Sequence, residues 1–183
     1  MSVFQYAVGD ISYVEDLDVA SEGLIVYFAG FNGGLGGTDF IEFGLQVPKT
    51  KQIFIRDRNS MLYRRGISPN TNNDTINKFL GFLKNRILYA NVKNVTFWGN
   101  SAGANAALMY GNLLNVKSVV AVAPFSKIDK SLCIYKILPK QTIDKVINDP
   151  KIPEWTLDLL NLNNICESSV TTNQILYDRS SHR

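Results

Sequence analysis

Five consecutive residues, Gly99-Asn100-Ser101-Ala102-Gly103, spell G-x-S-x-G. The pattern suits acyl transfer when a strand precedes it and a helix follows. The turn between them is then so sharp that the serine takes a strained backbone and its neighbours must be small. Gly99, Ala102, Gly103 and Ala104 meet that demand. A strand is expected over Val95 to Trp98 and a helix from Ala102, which would lift the Ser101 hydroxyl above the carboxyl edge of a sheet, where ligands bind in open α/β folds. Without chemistry, the same residues would be a Gly/Ser-rich helix start. A second run, Gly30-Phe31-Asn32-Gly33-Gly34, follows a strand-like segment. It is placed to aim a backbone N–H at a developing oxyanion, and Ala102, the residue after the nucleophile, supplies another. Asn32, Gly33 and Asn100 would then lie beside the substrate. A merely flexible loop is the other reading of this run. A phosphate cradle is disfavoured, because no Gly-Lys-Ser/Thr follows.

A serine hydroxyl needs a base with a pKa near 7. The chain has one histidine, His182, which stands either as that base or as a solvated residue of the tail. Arg56 and Asp57 end a predicted strand on the same edge as Ser101. A guanidinium there could hold a carboxylate, a phosphate or an acidic sugar bidentately, or the two residues could pair and fix the loop that follows. Taken together, Arg56, Arg58, Arg64 and Arg65 read as a solvated loop, with Tyr63, Arg64 and Arg65 weaker candidates for the same mouth. Trp98, Tyr110 and Trp155 read as packing residues.

The elements that must position these groups are legible in the hydrophobic pattern. Leu24 to Ala29 is a continuous apolar run, the mark of a strand buried on both faces. Gln52 to Arg56, Val95 to Trp98, Ser118 to Ala123 and Asn173 to Tyr177 are further strands. The first fifteen or so residues alternate around Gly9-Asp10 as a hairpin would, and Phe40 to Leu45 is a short amphipathic piece. Ile76, Phe79, Leu80, Leu83, Ile87 and Leu88 recur at helical spacing, so Thr75 to Tyr89 is expected to be a helix, and Ala102 to Leu114 another. Strands alternating with helices from residue 24 to 123 predict a mostly parallel sheet with helices on both faces, a three-layer α/β sandwich. After Pro124 the pattern changes to helical pieces broken by Pro139, Pro150 and Pro153. Residues 126–169 therefore read as a helical cap within a single domain spanning 1–183.

Leu24 to Gly34, followed by Trp98-Gly99-Asn100-Ser101-Ala102-Gly103-Ala104, resembles the α/β-hydrolase superfamily in order and separation. The likeness covers roughly residues 24–125 and the strand ending at Tyr177. Where that superfamily commonly has a His-Gly pair before the oxyanion loop, this chain has Ala29-Gly30. The resemblance implies that Phe31 and Ala102 supply the two oxyanion N–H groups. It also implies an acid after the strand that follows the cap, a place held by Asp178, with Asp129 the weaker alternative. A Ser101–Asp178–His182 order results, although only Arg179-Ser180-Ser181 separate the last two. The implied activity is a serine hydrolase cleaving an ester or thioester through an acyl-enzyme. The alternatives are an acyltransferase acting on a sugar hydroxyl, or a degenerate or truncated hydrolase fold that binds a small anionic ligand or a partner. Arg-Asp after the third element is also similar to hydrolase-like proteins of bacterial surface-polysaccharide loci.

Composition bounds these readings. With 183 residues the chain can bury a real core. Its net charge of +3 is too small and dispersed to argue for nucleic acid. No apolar run approaches a membrane span, and Met1 to Asp10 lacks the basic and apolar regions of a secretory signal, which points to the cytoplasm. Cys133 and Cys166 lack metal or redox spacing and are expected to be reduced thiols. No metal or organic cofactor is expected, and the partner expected is a small ester or acyl substrate.

Overall fold

Leu24-Ile25-Val26-Tyr27-Phe28 offers no polar face to solvent, and it takes the interior of the sheet. The computed structural model describes residues 12–31, 44, 46–47, 49–68, 72–134, 137–158 and 171–176. Within them, β1 (Tyr13–Asp16), β2 (Gly23–Phe28), β3 (Lys51–Ile55), β4 (Asn94–Asn100), β5 (Ser118–Val122) and β6 (Thr172–Leu176) form one sheet in the order β1-β3-β2-β4-β5-β6. β1 runs antiparallel to β3, in register Tyr13 to Ile55, and the other pairings are parallel. The expected mostly parallel α/β sandwich is the observed architecture. Val3 to Ile11, Phe40 to Phe43, Leu45, and Tyr177 onward fall outside the described residues.

Alternation of side chains across each strand divides the sheet into two faces. Leu24, Val26 and Phe28 of β2, Ile53 and Ile55 of β3, Phe97 of β4 and Val119 and Ala121 of β5 share the main core. Both long helices, α1 (Ile76–Ala90) and α2 (Ala102–Leu113), add to that core, with Phe79 edge-on to Tyr110 at 4.8 Å between ring centroids. On the opposite face, Val14, Tyr27 and Phe54 form a smaller buried cluster, Tyr27 stacking on Phe54 at 4.8 Å. Gly44 packs so closely there that a Cβ on it would lie 2.4 Å from the Phe54 ring.

Thr75 caps α1, accepting a hydrogen bond from the Lys78 N–H, and Asn91 ends it in a left-handed conformation (φ 49°). Ile76, Phe79 and Leu83 are buried as the periodicity predicts, but Leu88 is exposed. At 100° per residue, position 88 lies 140° around the helix from Leu83 and so outside the apolar stripe. α2 is different: every residue from Ala102 to Asn112 is buried, which a helix of mostly small residues permits by packing closely on all sides. After Pro124 come α3 (Ser131–Ile134), α4 (Lys140–Asn148) and a 3-10 turn at Glu154–Leu157. Pro139 and Pro153 stand at the N-cap positions of the last two, where the fixed proline φ is compatible with a helix start. This segment contributes Phe125, Ile128, Leu132, Leu138, Ile143, Val146 and Ile152 to a second apolar cluster, whose other buried members are Leu62 and Ala102. The helical insertion thus rests directly on the turn that carries Ser101.

Candidate active site

Ser101 is the single residue between β4 and α2, with φ 51° and ψ −120°. For a residue with a Cβ this conformation costs of order 1–3 kcal/mol. Several contacts hold it there. The Ser101 N–H donates to the Val122 carbonyl at 2.8 Å, and the Ser101 carbonyl accepts from Ala104 (3.0 Å) and Asn105 (3.3 Å). A Cβ on Gly99 would lie 2.1 Å from the Gly103 oxygen, and one on Gly103 would lie 2.0 Å from the Phe28 oxygen and 2.5 Å from that of Ala29. The turn is therefore pressed against the end of β2, and only hydrogen fits at both glycines. Serine at an N-cap position ordinarily caps its helix with its hydroxyl. Ser101 makes no such bond, and α2 begins beside it with the partial positive charge of a helix N-terminus.

Asn105 is a residue that pattern reading misses. It is 1% exposed, its Nδ2 donates to the Phe125 carbonyl at 2.7 Å, and its Oδ1 accepts from the Phe125 N–H at 2.8 Å. This pair of hydrogen bonds clamps the chain leaving β5, where Ala123 has φ 50°, against the helix that follows Ser101. The signal available in the sequence was an amide, one of two with Asn112, in an alanine-rich helix, since a buried amide must find partners.

The loop after β3 departs from the solvated-loop expectation. Arg56 is 5% exposed and Arg64 is 1% exposed. Three alternate backbone donors converge on the Asp57 carboxylate: Asn59 N–H on Oδ1 (2.8 Å), and Met61 (2.8 Å) and Tyr63 (2.9 Å) on Oδ2. They hold Ser60, Leu62 and Tyr63 at positive φ (52°, 52° and 63°), a conformation bulky residues seldom take. The turn directs the Arg64 guanidinium inward, where Nε and Nη2 donate to the Thr156 carbonyl (3.1 and 2.8 Å) and Nη1 to that of Leu62 (2.6 Å). A buried cation with three hydrogen bonds to carbonyls ties this loop to the insertion after Pro124. Arg65 adds an ion pair with Asp149 at 2.6 Å.

Burial pushes the Asp57 carboxyl up from 3.8 to about 6, against the opposing pull of its three backbone donors and of Arg64. The folded chain then holds this proton more tightly than the unfolded chain. The Asp57 contribution to stability is accordingly greatest below pH 4 and declines by about 3 kcal/mol as pH rises through 6. A carbon-detected NMR titration should find a midpoint near 6 for Asp57, and the decline should vanish in Asp57→Asn. A midpoint below 4 would show that the backbone donors outweigh desolvation.

The structure brings Ser101 and Asn100 to the carboxyl edge of the sheet. Phe31 packs on the same apolar cluster as Ala102, together with Met61 and Leu62 of the loop after β3. Gly30 lies against the Asn100 side chain, at 3.2 Å from Oδ1 for an added Cβ. Asp57 spends both oxygens on its own loop, while the Arg56 N–H donates to the Ser12 carbonyl (2.9 Å). Asp129 accepts from the Ser131 N–H (2.8 Å) at the start of α3. Asn32, Gly33, Asp178 and His182 lie outside the described residues. Among the described residues, no helix is long and apolar enough to cross a membrane.

No family model and no curated protein matches this chain. Among solved structures it is similar to the capsule O-acetyltransferase of Neisseria meningitidis serogroup A, at 17% identity over 91% of this chain and 70% of that one, with a TM-score of 0.62. It is similar also to FphF, a fluorophosphonate-binding serine hydrolase of Staphylococcus aureus (11% identity, 94% and 69% covered, TM-score 0.59). A third similar structure is a chain of the Glycosylation Associate Protein complex from Streptococcus agalactiae (18% identity, 90% covered, TM-score 0.59), of which this chain spans only 33%. The shared feature is the fold, which is α/β-hydrolase-like.

Proposed function

We propose, from the α/β-hydrolase-like fold as premise, that this chain performs acyl transfer through Ser101, cleaving an ester or thioester by way of an acyl-enzyme. The observation that carries the reading is the conformation of Ser101: strained at φ 51°, buttressed by two glycines that admit no side chain, and with its hydroxyl unused as a helix cap. In this reading the turn is a nucleophile elbow. The Ser101 oxygen attacks the acyl carbonyl carbon as its proton passes to His182, which Asp178 orients. The N–H groups of Phe31 and Ala102 hold the oxyanion. Collapse of the tetrahedral adduct expels the alkoxide or thiolate, which takes the proton from His182. Water then repeats the sequence in reverse and releases the acid. Residues 126–169 serve as a cap over this site within one domain, and Asn32, Gly33, Asn100 and Arg56 line the substrate.

A second reading replaces water with a sugar hydroxyl in the deacylation step. The similarity to a capsule O-acetyltransferase favours keeping it, and product analysis with competing acceptors separates the two.

Intact-mass measurement after exposure to a fluorophosphonate probe tests both. One adduct is expected on the wild type, none on Ser101→Ala, and none on His182→Ala. An adduct that survives in Ser101→Ala would sink the assignment. One that survives only in His182→Ala would keep the nucleophile and remove that base. A folded wild type that takes no adduct would favour a hydrolase fold that binds an anionic ligand or a partner without turnover.

A further inference from the structure

We propose that Tyr63 is a positioning residue for the oxyanion side of this site, acting through the Ala29 carbonyl; the inference rests on the acyl-transfer reading of Ser101. Phe31, the proposed donor, is two residues beyond Ala29, and only Gly30, the residue type with the least restricted backbone, lies between. The direction of the Phe31 N–H therefore depends on how the chain is held at Ala29. Ala29 is held on both sides: its N–H donates to the Ile55 carbonyl at 2.9 Å, and its carbonyl accepts from the Tyr63 hydroxyl at 2.8 Å. The Ile55 oxygen lies farther from that hydroxyl, at 3.3 Å. The same Ala29 oxygen is one of the atoms a Cβ on Gly103 would strike, at 2.5 Å. It is thus wedged between the tyrosine and the turn that carries Ser101, where the two halves of the proposed oxyanion hole meet.

Tyr63 is itself fixed at every polar group. Its N–H donates to Asp57 Oδ2 (2.9 Å), and its carbonyl accepts from the Tyr110 hydroxyl at 2.6 Å. Its ring meets Phe28 edge-on at 5.8 Å, and none of the residue is exposed. A buried tyrosine needs an acceptor wherever it sits. Here, however, the residue is held at φ 63° by an acceptor in its own loop, Asp57, and a donor from α2, Tyr110, and the result is a hydroxyl placed on the first peptide of the glycine loop.

A purely structural hydrogen bond and a positioning one predict different kinetics. The test compares Tyr63→Phe with the wild type, and Tyr63→Phe/Ser101→Cys with Ser101→Cys alone. As the Ser101 oxygen displaces fluoride, negative charge builds on the phosphoryl oxygen where the oxyanion would sit, and one displaced donor should slow the reaction by about ten- to hundred-fold. Alkylation of the introduced thiol by iodoacetamide, followed by peptide mapping, displaces iodide at carbon and builds no oxyanion. It should be unchanged within about two-fold. Equal slowing of both reactions would mean general loosening and overturn the inference, as would no slowing of either. A wild type that takes no probe overturns the acyl-transfer reading and this inference with it. A labelled wild type matched by Tyr63→Phe overturns this inference alone.

Discussion

Replacing Gly103 by alanine is expected to destabilise the chain by more than about 3 kcal/mol, a large share of the 5–15 kcal/mol that holds a domain together. The added Cβ would lie 2.0 Å from the Phe28 oxygen, 2.5 Å from that of Ala29 and 2.6 Å from the Phe28 carbonyl carbon. Carbon and oxygen without a conventional hydrogen bond approach no closer than about 3.3 Å, so α2 and the end of β2 would have to part by more than 1 Å. Neither can move freely. The start of α2 is tied to β5 by the Ser101 N–H and to the following loop by Asn105. Two residues from its end, a Cβ on Gly111 would already lie 2.5 Å from the Val119 side chain. The three atoms nearest the added Gly103 Cβ are all backbone, so no flexible side chain can yield there. Urea unfolding should show the midpoint lowered by more than 1 M, taking a slope of about 2 kcal/mol per molar for a chain of this size. Gly81, exposed on α1 with nothing within 4 Å of its Cβ position, is the internal control. There alanine should stabilise by about 0.5–1 kcal/mol. A Gly103→Ala midpoint indistinguishable from the wild type would show that the turn is not packed as described.

That contrast between two glycines explains what was legible beforehand. Gly99, Ser101 and Gly103 were readable because steric demand at the turn leaves few residue types to choose from. β2 was readable because burial on both faces forces an unbroken apolar run, and α1 because Thr75 and its apolar stripe repeat at the helical period. The loop after β3 was not. By pattern Arg56 could hold an anion or pair with Asp57 to fix the loop, and nothing in the spacing announces the use that is made of Asp57. Its oxygens accept from the second, fourth and sixth residues onward, a pattern fixed by three positive φ angles at Ser60, Leu62 and Tyr63 that no glycine announces. Arg64 looked solvated because exposed guanidinium is the rule. Its burial depends on a carbonyl 92 residues away, that of Thr156. The Tyr63 hydroxyl likewise reaches back 34 residues to Ala29. Contacts of that range depend on topology, which local pattern does not carry.

Ser101 is where the loss of activity should be greatest and where stability should move the other way. Ser101→Gly and Ser101→Ala both remove the nucleophile, and ester turnover should fall by about 10⁴-fold or more in each. Their stabilities should differ. At φ 51° and ψ −120° any residue with a Cβ is strained by of order 1–3 kcal/mol, whereas glycine adopts the conformation freely. Glycine gives back part of that gain through the extra freedom of its unfolded chain, about 0.4–1 kcal/mol. A net rise of about 1 kcal/mol is therefore expected for Ser101→Gly. Ser101→Ala keeps the Cβ and the strain. Because the hydroxyl makes no cap bond, its removal should leave stability within about 0.5 kcal/mol of the wild type. Thermal and urea unfolding of the three proteins, read beside their phosphonylation, decide the matter. A glycine variant that is inactive and more stable is what strain retained for function requires. A glycine variant less stable than the wild type would mean that Ser101 serves the fold at this turn, and would take the principal support from the acyl-transfer reading.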